Sequence, residues 1–348
     1  MRAFLLLAFS LFSGCVHDIQ GLGNHHIDLP EHTLLVLIKR HVYVVDIDKK
    51  EVVDSIFLAY EWPEIDDHEY IHNFIITPQN YVAYPVELKY ACICVEGNII
   101  RILNPSSGKI VKEIEVYPSP ASLRPFYKDG HLYAFVPRSI IGEHVISVVD
   151  LTDLKLIKEF NLDGGMGRVS QDIDGSVYYV CLFGDVYLDS AVLRRFDVDD
   201  LEGYTKIMSL GKEKLCVVYN KKIYLFHKNR DVEVYDMEGN LIHGFTLPFV
   251  PNRVKVINGY FFVDDNERKN ALMKLNPETY EYKTIIFEPP YGLYSPNVVY
   301  SKKLNLLITS NYYLGAPLHL YFIDFDSFEI VGELLDYKRE GAPMGIIE

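Results

Sequence analysis

Apolar residues along this chain alternate with polar ones in short runs, each run stopped by an Asp or Asn. Val148 to Leu162, VVDLTDLKLIKEFNL, shows the pattern most plainly. It reads as an apolar strand ending in Asp, a tight turn, and a second strand whose alternate residues are apolar. The same pattern recurs as VVDIDKKEVVDSIFL, ILNPSSGKIVKEIEV, RFDVDDLEGYTKIMSL, VYDMEGNLIHGFTL, KLNPETYEYKTIIF and FIDFDSFEIVGELL. Its anchors are Asp46, Asn104, Asp150, Asp197, Asp236, Asn276 and Asp324, spaced by 58, 46, 47, 39, 40 and 48 residues. At such positions Asp and Asn bond their own backbone and close a turn. No long run repeats with helical period, so a helical domain is not expected.

Several short strands in a unit of about 40–50 residues are the pattern of a β-propeller. One small sheet cannot bury both faces alone, so the units must pack around an axis. Seven anchors predict an all-β fold, a single seven-bladed propeller, with six blades the alternative count. The first unit is short: TLLVLI, HVYVVDI and EVVDSIFL supply three strands where later units have four. The C-terminal GAPMGIIE resembles GGMGRVSQ, which opens the fourth unit. Met344 to Glu348 is therefore expected to pair with the first blade and close the ring. This closure, with one blade shared between the termini, resembles that of the propeller superfamily. From Thr33 to Glu348 the chain is similar to the YVTN/WD40-like class, whose motifs imply fold rather than activity. Clear Trp-Asp endings are missing and Trp62 is the single tryptophan, so the chain departs from standard WD40 proteins. Quinone-cofactor propellers lean on repeated tryptophans, so that cofactor is not carried over and the cofactor stays unknown.

The first residues, MRAFLLLAFSLFSGC, change the picture from fold to address. Arg2, an apolar run from Ala3 to Leu11, and Ser13-Gly14 make an export signal over residues 1–14. The run is too short to span a bilayer. FSGC resembles a bacterial lipobox with Phe in place of the usual Leu, which implies lipidation of Cys15 and attachment to the cell envelope. Val16 follows in place of the Asp of the enteric retention rule, so the outer membrane is the expected destination. Residues 15–32 then form a polar leader and 33–348 the propeller. In that leader His25, His26, Asp28 and His32 offer ligand atoms for a metal, although a spacer with unrelated histidines explains them as well.

The net charge of −14 disfavours broad nucleic-acid binding. Cys92 and Cys94 fall two apart on one strand, a poor geometry for a bridge. With Cys181 and Cys216 they are expected as free, buried thiols.

Candidate chemistry is sparse. His68-Glu69-Tyr70-Ile71-His72 matches H-E-x-x-H, but it runs into NFIITP, read as a strand, where the zinc motif needs a helix. It is assigned to a loop-to-strand junction. No nucleophile elbow, P-loop or dinucleotide fingerprint is present. Asp163-Gly164-Gly165-Met166-Gly167 is expected to be an inter-blade loop, and Asp199-Asp200 and Asp264-Asp265 are expected at turns, where calcium is conceivable. The leading function class is a membrane-tethered binding or scaffold module, because fold alone supplies no chemistry. The alternative is a metal-dependent hydrolase resembling propeller lactonases. A narrower third class, similar to outer-membrane assembly lipoproteins, generally has eight blades.

One alignment points to a site. Setting the units on their first hairpins (Asp129-Gly130, Asp174-Gly175, Asn258-Gly259) superposes Arg124, Arg168 and Arg253 at the start of the innermost strand. Asn73, Asn297 and Ile346 hold the corresponding places elsewhere, with Lys214 one residue out of register. Inner strands converge on the axis, so these side chains are expected to ring one mouth of the channel. Guanidiniums fixed there would attract an anionic ligand or an acidic loop of a protein partner. The competing reading is a polar girdle bonding the carbonyls of neighbouring blades.

Overall fold

Each repeat folds as an antiparallel four-stranded sheet in the computed structural model. It describes residues 26–38, 41–57, 73–86, 98–117, 120, 122–137, 144–183, 190–197, 203–212, 215–265, 271–287, 298–310, 317–340 and 344–347. Blade 1 contains β1 (Thr33–Ile38), β2 (His41–Asp46) and β3 (Glu51–Phe57). Blade 2 follows with β4 (Ile75–Ile76), β5 (Val82–Val86), β6 (Ile99–Asn104) and β7 (Lys109–Glu115). Blade 3 is β8 (Arg124–Lys128), β9 (His131–Pro137), β10 (Val145–Asp150) and β11 (Lys155–Asn161). Blade 4 is β12 (Gly165–Gln171), β13 (Val177–Phe183), β14 (Ser190–Phe196) and β15 (Tyr204–Gly211). Blade 5 comprises β16 (Leu215–Tyr219), β17 (Lys222–Phe226), β18 (Asp231–Tyr235) and β19 (Leu241–Thr246). Blade 6 comprises β20 (Pro251–Ile257), β21 (Tyr260–Asp265), β22 (Ala271–Leu275) and β23 (Tyr282–Ile286). Blade 7 is β24 (Val298–Ser301), β25 (Leu306–Ser310), β26 (Pro317–Asp324) and β27 (Ile330–Glu340); β28 (Met344–Ile347) is the last strand. Seven sheets settle the blade count at seven, not six.

The anchors do what their chemistry predicts. The Asp46 carboxylate accepts the Lys49 N–H, Asp150 those of Thr152 and Asp153, and Asp324 that of Ser327. Asn104, Asp236 and Asn276 close their turns in the same way. The core is divided among the seven blade–blade interfaces. Alternation along β1 explains the division: Leu35 and Leu37 pack toward blade 2, Leu34 and Val36 toward blade 7. Each such side chain contributes about 1.5–3 kcal/mol when fully buried, and each blade needs both neighbours to bury its two faces.

Ring closure follows the expectation. β28 lies against β1, pairing Ile347 with Thr33, Ile346 with Leu34 and Gly345 with Leu35. At Gly345 a Cβ would stand 2.8 Å from Phe74 and Ile76 of blade 2, so only glycine lets the closing strand approach. Contact with the propeller begins ahead of Thr33: Ile27 is buried in the blade 1–2 cluster and its N–H bonds the Ser106 carbonyl.

Two expectations fail. Of the glycine-rich segment only Asp163 and Gly164 lie between the blades, because Gly165 already begins β12. Glycine is needed there because a Cβ on Gly167 would meet the Val180 carbonyl at 2.8 Å. The acids Asp264 and Asp265 do not sit at a turn; they end β21, both buried. Cys181 and Cys216 are free and buried as expected, and burial pushes their thiols up to about 11 and about 12. Cys15, Cys92, Cys94, the His68–His72 motif and Asp199-Asp200 lie outside the described residues.

Candidate functional site

The innermost strand of every blade is an edge, with main-chain groups that have no ladder partner. Polar side chains from adjacent blades fill this need. Asn73 clamps blade 3 at both groups of Leu123, donating to its carbonyl at 2.7 Å and accepting its N–H at 2.9 Å. Gln171 of blade 4 clamps Tyr127 of blade 3 in the same way. Arg124 donates from Nη1 to the Met166 carbonyl at 2.6 Å, and Arg168 from Nη2 to the Asn252 carbonyl at 3.0 Å. Lys255, two residues beyond Arg253 on the same face, donates to the Val298 carbonyl at 2.7 Å. The girdle reading therefore describes Asn73 fully and Arg124 and Arg168 in part.

Arg253 differs. It is exposed, and among the described residues its guanidinium has neither hydrogen bond nor ion pair. A β-bulge sets its position: the register between β20 and β21 shifts between Pro251 and Arg253, leaving Asn252 unpaired. A second bulge, between Met166 and Val169, carries Arg168. Bulges re-aim side chains, and here they turn two arginines to one mouth. The Asp264 carboxylate caps the N–H of Arg253 that the bulge frees, and accepts the Asn252 Nδ2 amide at 3.1 Å.

The charges at this mouth act on one another. Burial lowers Arg124 to about 10, and the Arg168 charge adds to the effect. Burial also lowers Arg168, with the Arg253 charge lowering it further and Asp264 opposing. Asp264 is raised to about 6 by burial, against the pull of its hydrogen bonds and of Arg253 and Arg168. Enclosure by the surrounding protein lowers Lys255, although its side chain remains accessible to water. Arg124, Arg168 and Arg253 thus share one electrostatic neighbourhood. Asn73 is consumed by its backbone clamp, Ile346 is half-buried on β28, and Asn297 and Lys214 lie outside the described residues.

Asp264, Asn252 and Lys255 were not among the residues expected at the mouth. The signal for Asp264 was present: β9, β13 and β21 place Phe135, Val180 and Asp264 opposite the three arginines, and only the last is ionisable. Reading it required pairing the strands first.

The opposite mouth is lined by the hairpins that follow the innermost strands. Asp129-Gly130 and Asn258-Gly259 both take positive φ at their two central residues, the geometry of type I′ turns. A cavity of about 660 Å³ opens there, bordered by Tyr127, Gln171, Asp172, Asp174, Arg195 and Tyr219 among others. Asp172 accepts the N–H groups of Asn220 and Lys221 in the next blade's turn. His131, Asp150 and Asp153 are close enough to share a metal ion on this face. However, Asp150 already accepts two turn amides and Asp153 pairs with Lys155 at 2.7 Å. Of the leader's candidate ligands, His26 meets Asp28 and His32 meets Asp48, while His25 lies outside the described residues.

Seven radial sheets closed by a shared blade define the class: the protein is a seven-bladed β-propeller. No protein-family model matches the chain, and no curated protein matches it. Solved structures do. The periplasmic gluconolactonase PpgL of Pseudomonas aeruginosa is similar at TM-score 0.61 and 13% identity, over 91% of this chain and 99% of that one. A functionally unknown protein from Desulfotomaculum acetoxidans gives TM-score 0.60 at 11% identity, over 91% and 99%. The dihydro-heme d1 dehydrogenase NirN gives TM-score 0.58 at 12% identity, over 95% of this chain and 78% of that one. At such identities the likeness concerns the fold alone, and these functions differ among themselves.

Proposed function

We propose that this protein is an exported, lipid-anchored propeller that binds a carboxylate- or phosphate-bearing ligand at the arginine mouth. The observation that carries the reading is Arg253. Its guanidinium is exposed and unpaired among the described residues, beside Arg124 and Arg168, in a chain of net charge −14. A guanidinium has five N–H donors in a rigid fork. One bond to a carbonyl leaves Arg124 and Arg168 with donors to spare, and Arg253 keeps its whole fork for bidentate pairing with an oxyanion. Cys15 is the attachment point, through a lipid, to the envelope and by expectation to the outer membrane.

The hydrolase alternative calls for a metal held by carboxylates and Asn at the mouth. The carboxylate there, Asp264, faces two guanidiniums, whose charge opposes a cation. Stoichiometric calcium or zinc in the purified soluble domain would favour that alternative.

Two experiments test the reading. Cys15→Ser should move the protein from the membrane fraction to the soluble one; retention in the membrane defeats the anchor. Capture of the intact protein from its own membrane should recover a ligand or an acidic partner, and Arg253→Gln should lose it with the fold unchanged. Capture that survives Arg253→Gln defeats the site.

A further inference from the structure

Asp264 is the carboxylate facing the arginine mouth among the described residues, and its surroundings are fully specified on three sides. From β20 it receives the Asn252 amide and the Arg253 N–H. From β12 the Arg168 charge reaches it, and Arg168 in turn acts on Arg124. On its own strand the next acid, Asp265, points to the opposite face and accepts the Ala271 N–H of β22. The side chain is 2% exposed. Arg168 and Asp264 are also joined through Asn252, whose carbonyl takes Arg168 and whose amide donates to Asp264. Any anion that pairs with Arg253 and Arg168 must therefore share those two cations with a buried carboxylate.

Two like charges sharing one set of cations in a water-poor site raise the cost of ionising both. Resting on the proposed anion site, we infer that Asp264 makes it a proton-coupled oxyanion site, in which the anion seats on Arg253 and Arg168 as Asp264 takes one proton from solvent. Protonation removes one negative charge as the anion brings its own, and the anion gives both guanidiniums an ionic partner that neither has among the described residues of the free site. The neutral carboxyl keeps its acceptor oxygens for the Arg253 N–H and the Asn252 amide, so the bulge does not rearrange. Asp264 already sits raised to about 6 without a ligand, so proton uptake falls near neutral pH. By linkage, affinity then falls as pH rises through and above that value, by up to about tenfold per pH unit.

Sulfate is the probe, because its charge does not change between about pH 5 and pH 8. Titration calorimetry at low ionic strength, in two buffers of different ionisation heat, reads both affinity and protons exchanged. The wild-type protein should bind more weakly by on the order of tenfold or more at the higher pH, with net uptake approaching one proton. Asp264→Asn should bind equally at both pH values with no uptake, and Arg253→Gln should not bind at either. Binding by the wild type with no pH dependence and no proton uptake overturns the inference while leaving the anion site standing. So does pH dependence that survives Asp264→Asn. Complete absence of sulfate binding in the folded wild type at every pH overturns the anion site itself. If Asp264→Asn does not fold, proton uptake by the wild type decides alone. A partner's acidic side chain and a small free anion share this chemistry. Binding of an Asp-rich peptide where acetate has no effect marks the former, and the reverse marks the latter.

Discussion

The two ends of the channel meet the same need, the unpaired edge of the innermost strands, with opposite chemistry. At the hairpin end the Asp172 carboxylate accepts two turn N–H groups of the next blade, and Gln171 both accepts the Tyr127 N–H and donates to its carbonyl. At the other end cations donate to carbonyls, Arg124 to Met166 and Arg168 to Asn252. The difference lies in capacity. The Asp172 carboxylate, bonded to three main-chain N–H groups including that of Ile173, is largely occupied. Arg168, with one bond to a carbonyl, still holds four donors, and Arg124, whose Nε also donates to the Ser122 hydroxyl, holds three. The hairpin end has an exposed guanidinium of its own, Arg195 at the rim of the cavity, but it stands alone, whereas Arg124, Arg168 and Arg253 act on one another at the other mouth.

The sharpest way to break this comparison is to open the ring that shapes both mouths. Deleting residues 341–348 leaves the inner edge of β1 unpaired and the blade 1–2 and blade 7–1 interfaces incomplete. Aggregation, or loss of cooperative unfolding, is expected in a denaturant titration. A milder version is Gly345→Leu, which crowds Phe74 and Ile76 and should cost about 1–3 kcal/mol.

The next largest effect concerns Asp264 and depends on pH. Its folded value, about 6, lies above the ordinary 3.8, so the folded protein holds this proton more tightly than the unfolded chain. The associated stability is fully present below about 4 and is lost as pH rises through about 6, a cost on the order of 3 kcal/mol above that. Asp264→Asn, permanently neutral, should therefore be more stable than the wild type near pH 8. Thermal unfolding should show the gap closing as pH falls through 6; a gap that does not change with pH contradicts the burial account.

Asp172→Ala tests the hairpin end. It strands the N–H groups of Asn220 and Lys221 and should cost about 2 kcal/mol, read as a lower urea midpoint with an unchanged slope. Arg253→Gln is the smallest perturbation of the fold. With no partner to lose among the described residues, it should change stability by less than about 0.5 kcal/mol. If the order were reversed, with Arg253 costing more than Asp172, the contrast between a consumed end and an open end would fail.

Much of this was legible in the chain. Asp46, Asn104, Asp150 and their counterparts announce their turns because an Asx side chain bonds backbone two or three residues away, a local event. The alternation of β1 and the resemblance of GAPMGIIE to GGMGRVSQ announced a shared first blade, because strand identity follows from pattern. The superposition of Arg124, Arg168 and Arg253 was visible as well, since units of one repeat place equal positions at equal heights. Gly165 to Gly167 and Asp264-Asp265 were misread for one reason. Glycine and aspartate favour turns by themselves, and only the facing strand showed that these positions were a bulge and a buried strand end.

The sequence by itself pointed to seven blades, with six left open, and determined the turn chemistry, the closing strand and the alignment of the arginines, all of which depend on near neighbours or on repetition. Tertiary structure alone decided which cations are consumed and which remain open. Asn73 is spent on Leu123, Arg124 and Arg168 are partly spent on Met166 and Asn252, and Arg253 is left facing the channel with Asp264 behind it. That outcome rests on contacts between blades and on two bulges that shift register by one residue. Hydrogen-bond supply and demand around a ring is settled only when every blade is in place.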